Sequence, residues 1–338
     1  MATLPTRMLG NRAVSSIGLG CMNLSHGIYG HIVSDEEGTA LLNRALDLGV
    51  TFLDTAAVYG AGTNELLIGK AVMHRRQEFA LASKCVLDRR DGQQVLDGRP
   101  ESILKTLDEA LVRLRTDHID LYYLHRLDPA VPVEESVGAL ARAREAGKIG
   151  GIGLSEMSGT TIRRACAATP ITAVQSEYAP WVRNPEAGAL QACRDNGIAF
   201  VAFSPLGRGF LAGAVRDDHF EDGDLRNILP RFKGENLVHN LTLYAAFADL
   251  ARDAGCTPAQ LAIGWVLAQG EDVIPIPGTR SIAHLEEDLA TATMSFDAAL
   301  LARVDAIFSP GAVKGNRYGA DLQKTIDTEI LPEEIGED

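Results

Sequence analysis

Short, almost continuously apolar runs alternate along the chain with longer amphipathic segments. A run that is apolar throughout is typical of a strand in a parallel sheet buried on both faces, whereas apolar residues repeated at helical spacing predict a helix with one buried face. The predicted strands are IGLGCM (17–22), VTFLDT (50–55), FALASKC (79–85), IDLYYLH (119–125), IGGIGLSE (149–156), TAVQSEY (172–178), IAFVAFSPL (198–206) and VIPIPGTR (273–280). The predicted helices are DEEGTALLNRALDLG (35–49), NELLIGKAVM (64–73), PESILKTLDEALVRL (100–114), VEESVGALARAREAG (133–147), SGTTIRRACAA (158–168), EAGALQACRDNG (186–197), PAQLAIGWVLAQG (258–270) and SIAHLEEDLATA (281–292).

The order of these elements predicts an α/β fold, a (β/α)8 TIM barrel, because strand and helix follow each other in eight successive units. The alternative is a doubly wound sheet, which usually carries GxGxxG after its first strand and an acidic residue on its second strand for a ribose. The first strand here continues as GLGCMNLSHG, and no acidic residue is suitably placed. The barrel is therefore favoured, as one domain over residues 1–338.

Local signals at the element ends agree with this assignment. Ser34, Ser158 and Thr257 precede predicted helices, where a side-chain oxygen can cap the first turn. The stretch 6–20, TRMLGNRAVSSIGLG, places a GN turn between two short strand-like runs and predicts an N-terminal β-hairpin. Two long polar stretches, 205–239 and 309–338, are predicted as irregular loops at the C-terminal face of the barrel, where active sites of such barrels lie.

Charge and cysteine content narrow the class of protein. The formal net charge of −13 disfavours binding to nucleic acid or to an acidic membrane surface. The five cysteines are odd in number and form no CxxC motif, which predicts reduced thiols in the cytoplasm and neither a disulfide framework nor a metal site. No signal peptide and no apolar run of bilayer length is apparent. A monomer and a homo-oligomer are both compatible with these features.

Three successive predicted strands end in chemically active side chains. Asp54 ends the second strand, Lys84 the third and His125 the fourth, and Tyr59 follows Asp54 in the next loop. All strands of a (β/α)8 barrel run parallel, so these side chains are predicted to meet at one mouth. Each residue alone has an ordinary structural explanation as a turn or core residue. Convergence of all four is what indicates a site.

The four residue types suit one kind of chemistry. Asp54 is the expected counter-charge of a buried Lys84. The Lys84 ammonium would lower the pKa of the Tyr59 phenol, and His125 could hydrogen-bond the same substrate oxygen. This set is suited to protonating the oxyanion that forms when a hydride reaches a carbonyl carbon. It contains no nucleophile and no metal-ligand cluster.

Over almost its whole length the sequence resembles the aldo-keto reductase superfamily. The matching pieces occur in order: GLGCM, TFLDTAAVYG, ASK, DHIDLYYLHR, IGGIGLSE, AVQSEY, FSPLGRGFLAG and IPIPGTRSIAHLEEDL. HRLDPAVPVEE, GLSE and PRFKGENLVHN are similar to the perakine-reductase-like and auxin-induced-protein-like branch and its bacterial relatives. The resemblance implies NADPH-dependent reduction of an aldehyde or ketone, with Tyr59 as proton donor, Lys84 and Asp54 tuning it, and His125 orienting the carbonyl.

The resemblance also implies a cofactor site along the barrel mouth. Ser155 and Gln175 would contact the nicotinamide amide, and an aromatic beyond AVQSEY would stack on the ring, a role for which Tyr178 is one candidate and a core position the alternative. The small residues of SPLGRG let backbone N–H groups approach a pyrophosphate, with Arg208 adding charge. A helix N-terminus with Thr279 and Arg280 suits a 2′-phosphate. The full predicted cofactor set is Cys21, Met22, Asp54, Ser155, Glu156, Gln175, Ser204, Pro205, Leu206, Gly207, Arg208, Gly209, Pro277, Gly278, Thr279, Arg280, His284, Glu287 and Asp288.

Three positions depart from the common family pattern. Glu156 stands where Asn is frequent, although the branch itself shows Glu there. His284 replaces a frequent Arg or Lys, so the preference for NADPH over NADH depends mainly on Arg280. Asp288, expected with Glu287 at the adenine, replaces a frequent Asn.

The walls of the substrate pocket are predicted from loop residues. Tyr29, Arg126 and Trp181, together with His26, lie in loops that follow barrel strands, and packing is the alternative role of each. The substrate would be a small carbonyl compound. Two other functions stay open: a cofactor-binding redox-sensing or regulatory subunit of the same fold, and a phosphate-binding barrel isomerase, which has no need for Tyr59 beside Lys84.

Overall fold

Eight parallel strands form the centre of the protein, and each lies beside the next one in the order given below. The computed structural model describes residues 4–25, 28–30, 33–90 and 93–334. The barrel strands are β3 (Leu19–Gly20), β4 (Phe52–Asp54), β5 (Ala80–Cys85), β8 (Ile119–Leu124), β9 (Ile149–Ser155), β10 (Ala173–Glu177), β11 (Ala199–Phe203) and β12 (Val273–Ile276).

The first and last strands meet and close the sheet. The backbone N–H of Gly18 donates to the carbonyl of Pro275 at 3.0 Å, and the N–H of Gly20 donates to the carbonyl of Pro277 at 3.0 Å. Each remaining neighbour pair is parallel. The predicted (β/α)8 barrel is therefore confirmed, and all strand C-termini open on one face.

Helices surround the barrel. They are α1 (Asp35–Asp47), α2 (Thr63–Ala71), α3 (Pro100–Leu114), α4 (Val133–Glu145), α5 (Gly159–Ala168), α6 (Ala189–Asp195), α7 (Gly234–Asp253), α8 (Pro258–Leu267), α9 (Ile282–Ala290), α10 (Ala298–Ile307) and α11 (Ala320–Gln323). The predicted N-caps are observed: Ser34 and Thr257 form capping boxes, and Ser158 accepts from the N–H of Thr161. None of the helices in the described ranges is both long and apolar enough to span a membrane.

The N-terminal hairpin is also confirmed. Strands β1 (Thr6–Leu9) and β2 (Arg12–Ser15) are antiparallel. Leu9 and Val14 of this hairpin are buried in the same apolar cluster as the inward-facing residues of the barrel strands, such as Phe52. The hairpin therefore covers one end of the barrel interior.

Several elements differ from the prediction. The two stretches predicted as irregular are not irregular throughout, because α7 begins at Gly234 within 205–239 and α11 lies within 309–338. Helix α10 was not predicted either. The side chain of the N-cap residue of α7, Lys233, makes no capping bond, so the usual start signal is missing. Strands β6 (Leu87–Arg90) and β7 (Gln93–Leu96) form an unpredicted antiparallel hairpin in the loop after β5.

Candidate active site

Asp54 and Lys84 form a buried ion pair at the C-terminal ends of β4 and β5. The Lys84 ammonium donates to Asp54 Oδ1 and, at 2.9 Å, to the carbonyl oxygen of Thr55. Gln175 Nε2 donates to the other carboxylate oxygen of Asp54 at 2.8 Å. The exposed fractions of the Lys84 and Asp54 side chains are 0% and 3%. These bonds fix both charges in one orientation.

Tyr59 lies directly above this pair. Lys84 Nζ is 5.2 Å from the centroid of the Tyr59 ring. The backbone turns sharply after Tyr59, since Gly60 and Ala61 both have left-handed φ values of 58° and 52°. A Cβ on Gly60 would lie 2.6 Å from the carbonyl oxygen of Ser25, so only glycine fits this turn. The turn brings the phenol over the mouth.

His125 follows β8 and packs against Tyr59. The two ring centroids are 5.8 Å apart, with an interplanar angle of 85°. The His125 backbone N–H donates to the carbonyl of Cys85 at 3.1 Å, whereas Nδ1 is buried and makes no hydrogen bond to the described protein atoms. The four side chains predicted to converge therefore do so.

The pKa values of the three proton carriers follow from burial and from these neighbours. Desolvation lowers the pKa of His125 well below its ordinary value, and the charges of Arg126 and Lys84 lower it further, so the imidazole is neutral at neutral pH. Burial lowers the pKa of Lys84, but Asp54 and Tyr59 outweigh it and the net direction is upward.

The pKa of Tyr59 corrects one expectation. The charge of Lys84 pulls that pKa down, as predicted, but the larger effect is desolvation, and the net direction is upward. The phenol is therefore fully protonated at neutral pH in the cofactor-free protein. Lys84 limits the rise instead of producing an acidic phenol.

A cleft of about 620 Å³ runs from this site across the barrel mouth. Its lining contains Asp54, Tyr59 and His125 at one point and the N-terminus of α9 at another. The other predicted residues that line it are Met22, Tyr29, Arg126, Ser155, Gln175, Ser204, Pro205, Leu206, Arg208, Gly209, Pro277, Gly278, Thr279, Arg280, His284, Glu287 and Asp288. Most of the predicted cofactor and substrate residues thus border one continuous space.

Several predicted residues lie outside this lining. Cys21 is fully buried, and burial raises its thiol pKa. Glu156 is fully buried and bound to Arg317, and Gly207 packs under the Trp181 indole. The Lys84 side chain is fully buried and bonds Asp54, which does line the cleft.

Two aromatic candidates belong to the core. Trp181 is 3% exposed and stacks on Phe210, with centroids 4.2 Å apart and an interplanar angle of 2°. Tyr178 is 1% exposed and donates its hydroxyl to Glu186 at 2.7 Å, so the alternative role as core residue applies. Phe203, at the end of β11, does border the cleft. His26 lies outside the described residues.

The cleft is also lined by residues that the sequence analysis did not predict as part of the site. Leu87, Arg89 and Gln94 come from the unpredicted hairpin, and Tyr318 and Leu322 come from the stretch 309–334. The only sequence signal for these groups was the prediction that long stretches such as 309–338 gather at the active face. Further lining residues are Gly20, Asn23, Ile28, Ala212, Ala214, Leu225, Arg226, Pro258, Ala259, Ile276 and Ser281.

The donor set of the cleft suits a dinucleotide phosphate. Ser204, Gly207, Arg208 and Gly209 all have left-handed backbone conformations, so the turn after β11 has the concave form that binds anions. The N-terminus of α9 lies in the same cleft. Asp288 Oδ2 there is buried and has no hydrogen-bond partner among the described residues. This oxygen could accept a hydrogen bond from the amino group of a base.

The chain is similar to known proteins over most of its length. Residues 16–308 match the aldo/keto reductase family. The chain belongs to this family. The protein is thus an aldo/keto reductase family member and an oxidoreductase by class.

Named relatives of this aldo/keto reductase cover nearly its full length. It is 43% identical over 340 residues to "Aldo-keto reductase yakc (NADP(+))" of Schizosaccharomyces pombe, covering 98% of this chain and 99% of that protein. It is 42% identical to "Probable aldo-keto reductase 1" of Glycine max, with 90% and 88% covered. Among solved structures it resembles the glycerol dehydrogenase AKR11B4 from Gluconobacter oxydans, with a TM-score of 0.81, 27% identity and 97% and 98% of the two chains covered.

Proposed function

We propose that this protein reduces an aldehyde or ketone to the alcohol with NADPH, using Tyr59 as the proton donor. The observation that carries the proposal is the placement of Tyr59 over the buried Lys84–Asp54 pair and against His125 at one point of the cleft. NADP(+) in the name of the Schizosaccharomyces pombe relative supports the choice of cofactor.

The cofactor residues divide by position in the cleft. Ser155 ends β9, and Gln175 lies next to it on β10 and bonds Asp54. These two residues would hold the nicotinamide amide, and the turn 204–209 would hold the pyrophosphate. Thr279 and Arg280 at the start of α9 would hold the 2′-phosphate, with Glu287 and Asp288 at the adenine. Bound in this way, NADPH supplies the hydride for the carbonyl carbon.

The side chains of the protein orient the carbonyl oxygen of the substrate and protonate it. Tyr59 donates its proton to the oxygen as negative charge develops there. Neutral His125 donates a second hydrogen bond that orients the carbonyl. Lys84, held by Asp54, stabilises the phenolate that Tyr59 leaves behind. Tyr29 and Arg126 border the same cleft and would wall the substrate.

The test combines cofactor titration with a substrate screen. We expect NADPH to bind and to be oxidised with members of a panel of aliphatic and aromatic aldehydes. In Tyr59→Phe the turnover should fall at least a hundredfold while NADPH affinity changes less than about twofold, because general acid catalysis contributes ~10²–10⁴ and the lost hydroxyl serves only the chemical step. Tight NADPH binding with a silent panel would instead favour the redox-sensing subunit, and unchanged turnover in the variant would remove Tyr59 from the proposed role.

A further inference from the structure

The guanidinium of Arg208 is already occupied by protein groups. Its Nε donates to Glu177 Oε1 at 3.1 Å and its Nη2 to Glu177 Oε2 at 2.9 Å. Nη1 donates to the Tyr29 hydroxyl at 3.1 Å, and Nη2 also donates to the Tyr318 hydroxyl at 2.8 Å. Four of the five guanidinium N–H bonds are therefore used within the protein. The Arg208 side chain is 6% exposed and that of Glu177 is 1% exposed.

Because the Arg208 guanidinium is bound within the protein, the positive charge available to an anion at the turn 204–209 is reduced. Glu177 neutralises Arg208 in a two-bond pair of the kind that is strongest for arginine. Arg208 and Arg317 overcome the desolvation of Glu177 and hold its pKa below the ordinary value, so the carboxylate stays ionised. One guanidinium N–H is left, so Arg208 can give a phosphate at most a single side-chain bond, and a two-bond contact would require breaking this buried pair, which leaves an uncompensated carboxylate.

The bonds of Arg208 connect the turn to the C-terminal segment, which we define as residues 313–334. Tyr318 of that segment donates to Arg208's partner Glu177 at 3.3 Å and lies under the guanidinium, 5.3 Å from ring centroid to Cζ. The neighbouring Arg317 forms a salt bridge to Glu177 at 3.6 Å. Glu177 thus binds the turn and the C-terminal segment at one point.

Glu156 anchors the same segment next to this point. Its carboxylate accepts from Arg317 Nη2 and from the Thr328 hydroxyl, the latter at 3.0 Å, and its backbone carbonyl accepts from the N–H groups of Asp327 and Thr328 at 3.1 Å each. Glu156 Oε1 in turn accepts from the Glu177 backbone N–H at 2.8 Å. The residue at the frequent Asn position therefore holds the C-terminal segment.

Backbone strain in the turn shows what these bonds hold in place. Arg208 itself has a left-handed φ of 59°, a conformation that is costly for a residue with a Cβ and that persists where surrounding contacts determine it. The side-chain bonds of Arg208 are such contacts, since they end on β10, on Tyr29 and on the C-terminal segment.

We propose that Arg208 is a positioning residue: its bonds to Glu177 and to Tyr318 of the C-terminal segment hold the turn 204–209 in its anion-binding shape. The Arg208 side chain is then not a ligand of the cofactor phosphates. Phosphate recognition in the turn then falls to its backbone N–H groups, and residues 313–334 set NADPH affinity without contacting the phosphates. This inference rests on the proposed NADPH site.

The test compares NADPH dissociation constants of matched variants by fluorescence titration. We expect Arg208→Met and Arg208→Lys to weaken NADPH binding equally, by roughly tenfold, because a lysine restores the charge but not the four-bond geometry. Tyr318→Phe and Glu177→Gln should also weaken binding, Tyr318→Phe by roughly threefold. At saturating NADPH the kcat of the Arg208 variants should fall by a much smaller factor than their NADPH affinity, a split between affinity and turnover that general unfolding does not produce.

A direct phosphate ligand would give the opposite pattern. Arg208→Lys would then keep most of the NADPH affinity that Arg208→Met loses, and Glu177→Gln would tighten NADPH binding by releasing the guanidinium. Either result overturns the proposal. Unchanged NADPH affinity in both Arg208 variants overturns it as well. Tyr318→Phe, the mildest change, carries a second measurement: backbone amide exchange over 204–213 should be faster, and unchanged exchange contradicts the inference. Asp321→Asn in the same segment is the control, since Asp321 is exposed and bonds Lys324.

The two proposals fail in different ways. If the unchanged protein binds no NADPH, the proposed function is wrong and this inference falls with it. If the unchanged protein binds NADPH and reduces carbonyls while the Arg208 variants bind NADPH like the unchanged protein, only the positioning role is wrong.

Discussion

The Lys84 ammonium and the Asp54 carboxylate face each other inside the barrel mouth with almost no solvent contact. Removing one partner of such a pair leaves the other charge buried without compensation, whereas an exposed pair contributes little. This difference makes the pair a measurable determinant of stability as well as of the chemistry above it.

Lys84→Met should therefore lower the free energy of unfolding by about 3–5 kcal/mol at neutral pH. The matched control is Lys70→Met, which removes the exposed partner of Asp35 and should change stability by less than about 1 kcal/mol. Denaturant unfolding of both variants measures the difference. Equal, small effects in the two variants would show that the buried pair contributes no more than a surface pair.

The pH dependence of reduction tests the electrostatics of Tyr59 and His125. The pKa of Tyr59 is raised above 10.0, so the proton donor stays protonated through the neutral range, and the pKa of His125 is lowered well below 6.5, so the imidazole stays neutral there. We expect kcat to be flat between about pH 6.5 and 9. It should fall only in strong alkali as the phenol ionises, or in acid as the imidazole gains a proton.

A pH–kcat profile at saturating substrate measures this directly. A titration near pH 6.5–7 that disappears in His125→Asn would contradict the lowered pKa of His125. A fall of kcat near pH 8 that moves to higher pH in Lys84→Met would contradict the upward shift of Tyr59, because it would show that Lys84 dominates burial.

The barrel was predictable because its strands are buried on both faces and its helices carry ordinary end signals, as at Ser34 and Thr257. Helix α7 was not predictable, since the side chain of Lys233 at its N-cap makes no capping bond and the preceding residues resemble a loop. The convergence of Asp54, Tyr59, Lys84 and His125 followed from topology alone, because strand ends share one face whatever the details of packing.

The contact partners of several charged and aromatic residues could not be predicted from the sequence. Arg208 looks like a free cation in SPLGRG, but its carboxylate partner Glu177 belongs to a different strand. Glu156 is bound by Arg317, 161 positions further along the chain. Trp181 faces inward because Phe210 offers a flat ring to stack on, and no local pattern indicates that choice.

The preference for NADPH over NADH should depend on the start of α9. His284 lines the cleft in the first turn of α9, and Thr279 and Arg280 directly precede the helix. We expect His284→Arg to improve NADPH affinity by about two- to tenfold with little change for NADH, since a second guanidinium would contact only the 2′-phosphate. Arg280→Met should weaken NADPH binding with NADH much less affected. Titration of both cofactors measures this, and equal effects on NADPH and NADH would remove these residues from the 2′-phosphate site.

Asp288 provides a stability change with a defined pH range. Burial raises the pKa of its carboxyl from 3.8 to about 8, with the charge of Glu287 as a smaller contribution. Because the folded state holds this proton more tightly than the unfolded state, the folded protein loses stability as pH rises from about 4 to about 8, and the loss is complete above that range. Asp288→Asn removes the group that ionises and keeps its shape. The variant should therefore nearly match the unchanged protein near pH 4 and be more stable by roughly 5 kcal/mol above pH 8, because each unit of pKa difference corresponds to about 1.4 kcal/mol.

Thermal or denaturant unfolding of the cofactor-free protein across pH 4–9 measures this difference. Glu286→Gln is the control on the same helix, because Glu286 is about half exposed and pairs with Arg44 at the surface. A stability difference between Asp288→Asn and the unchanged protein that stays constant with pH would mean that the Asp288 carboxyl does not titrate in this range. Loss of stability in Asp288→Asn at high pH would mean that the ionised carboxylate, with its unpartnered oxygen, is better accommodated than a neutral amide.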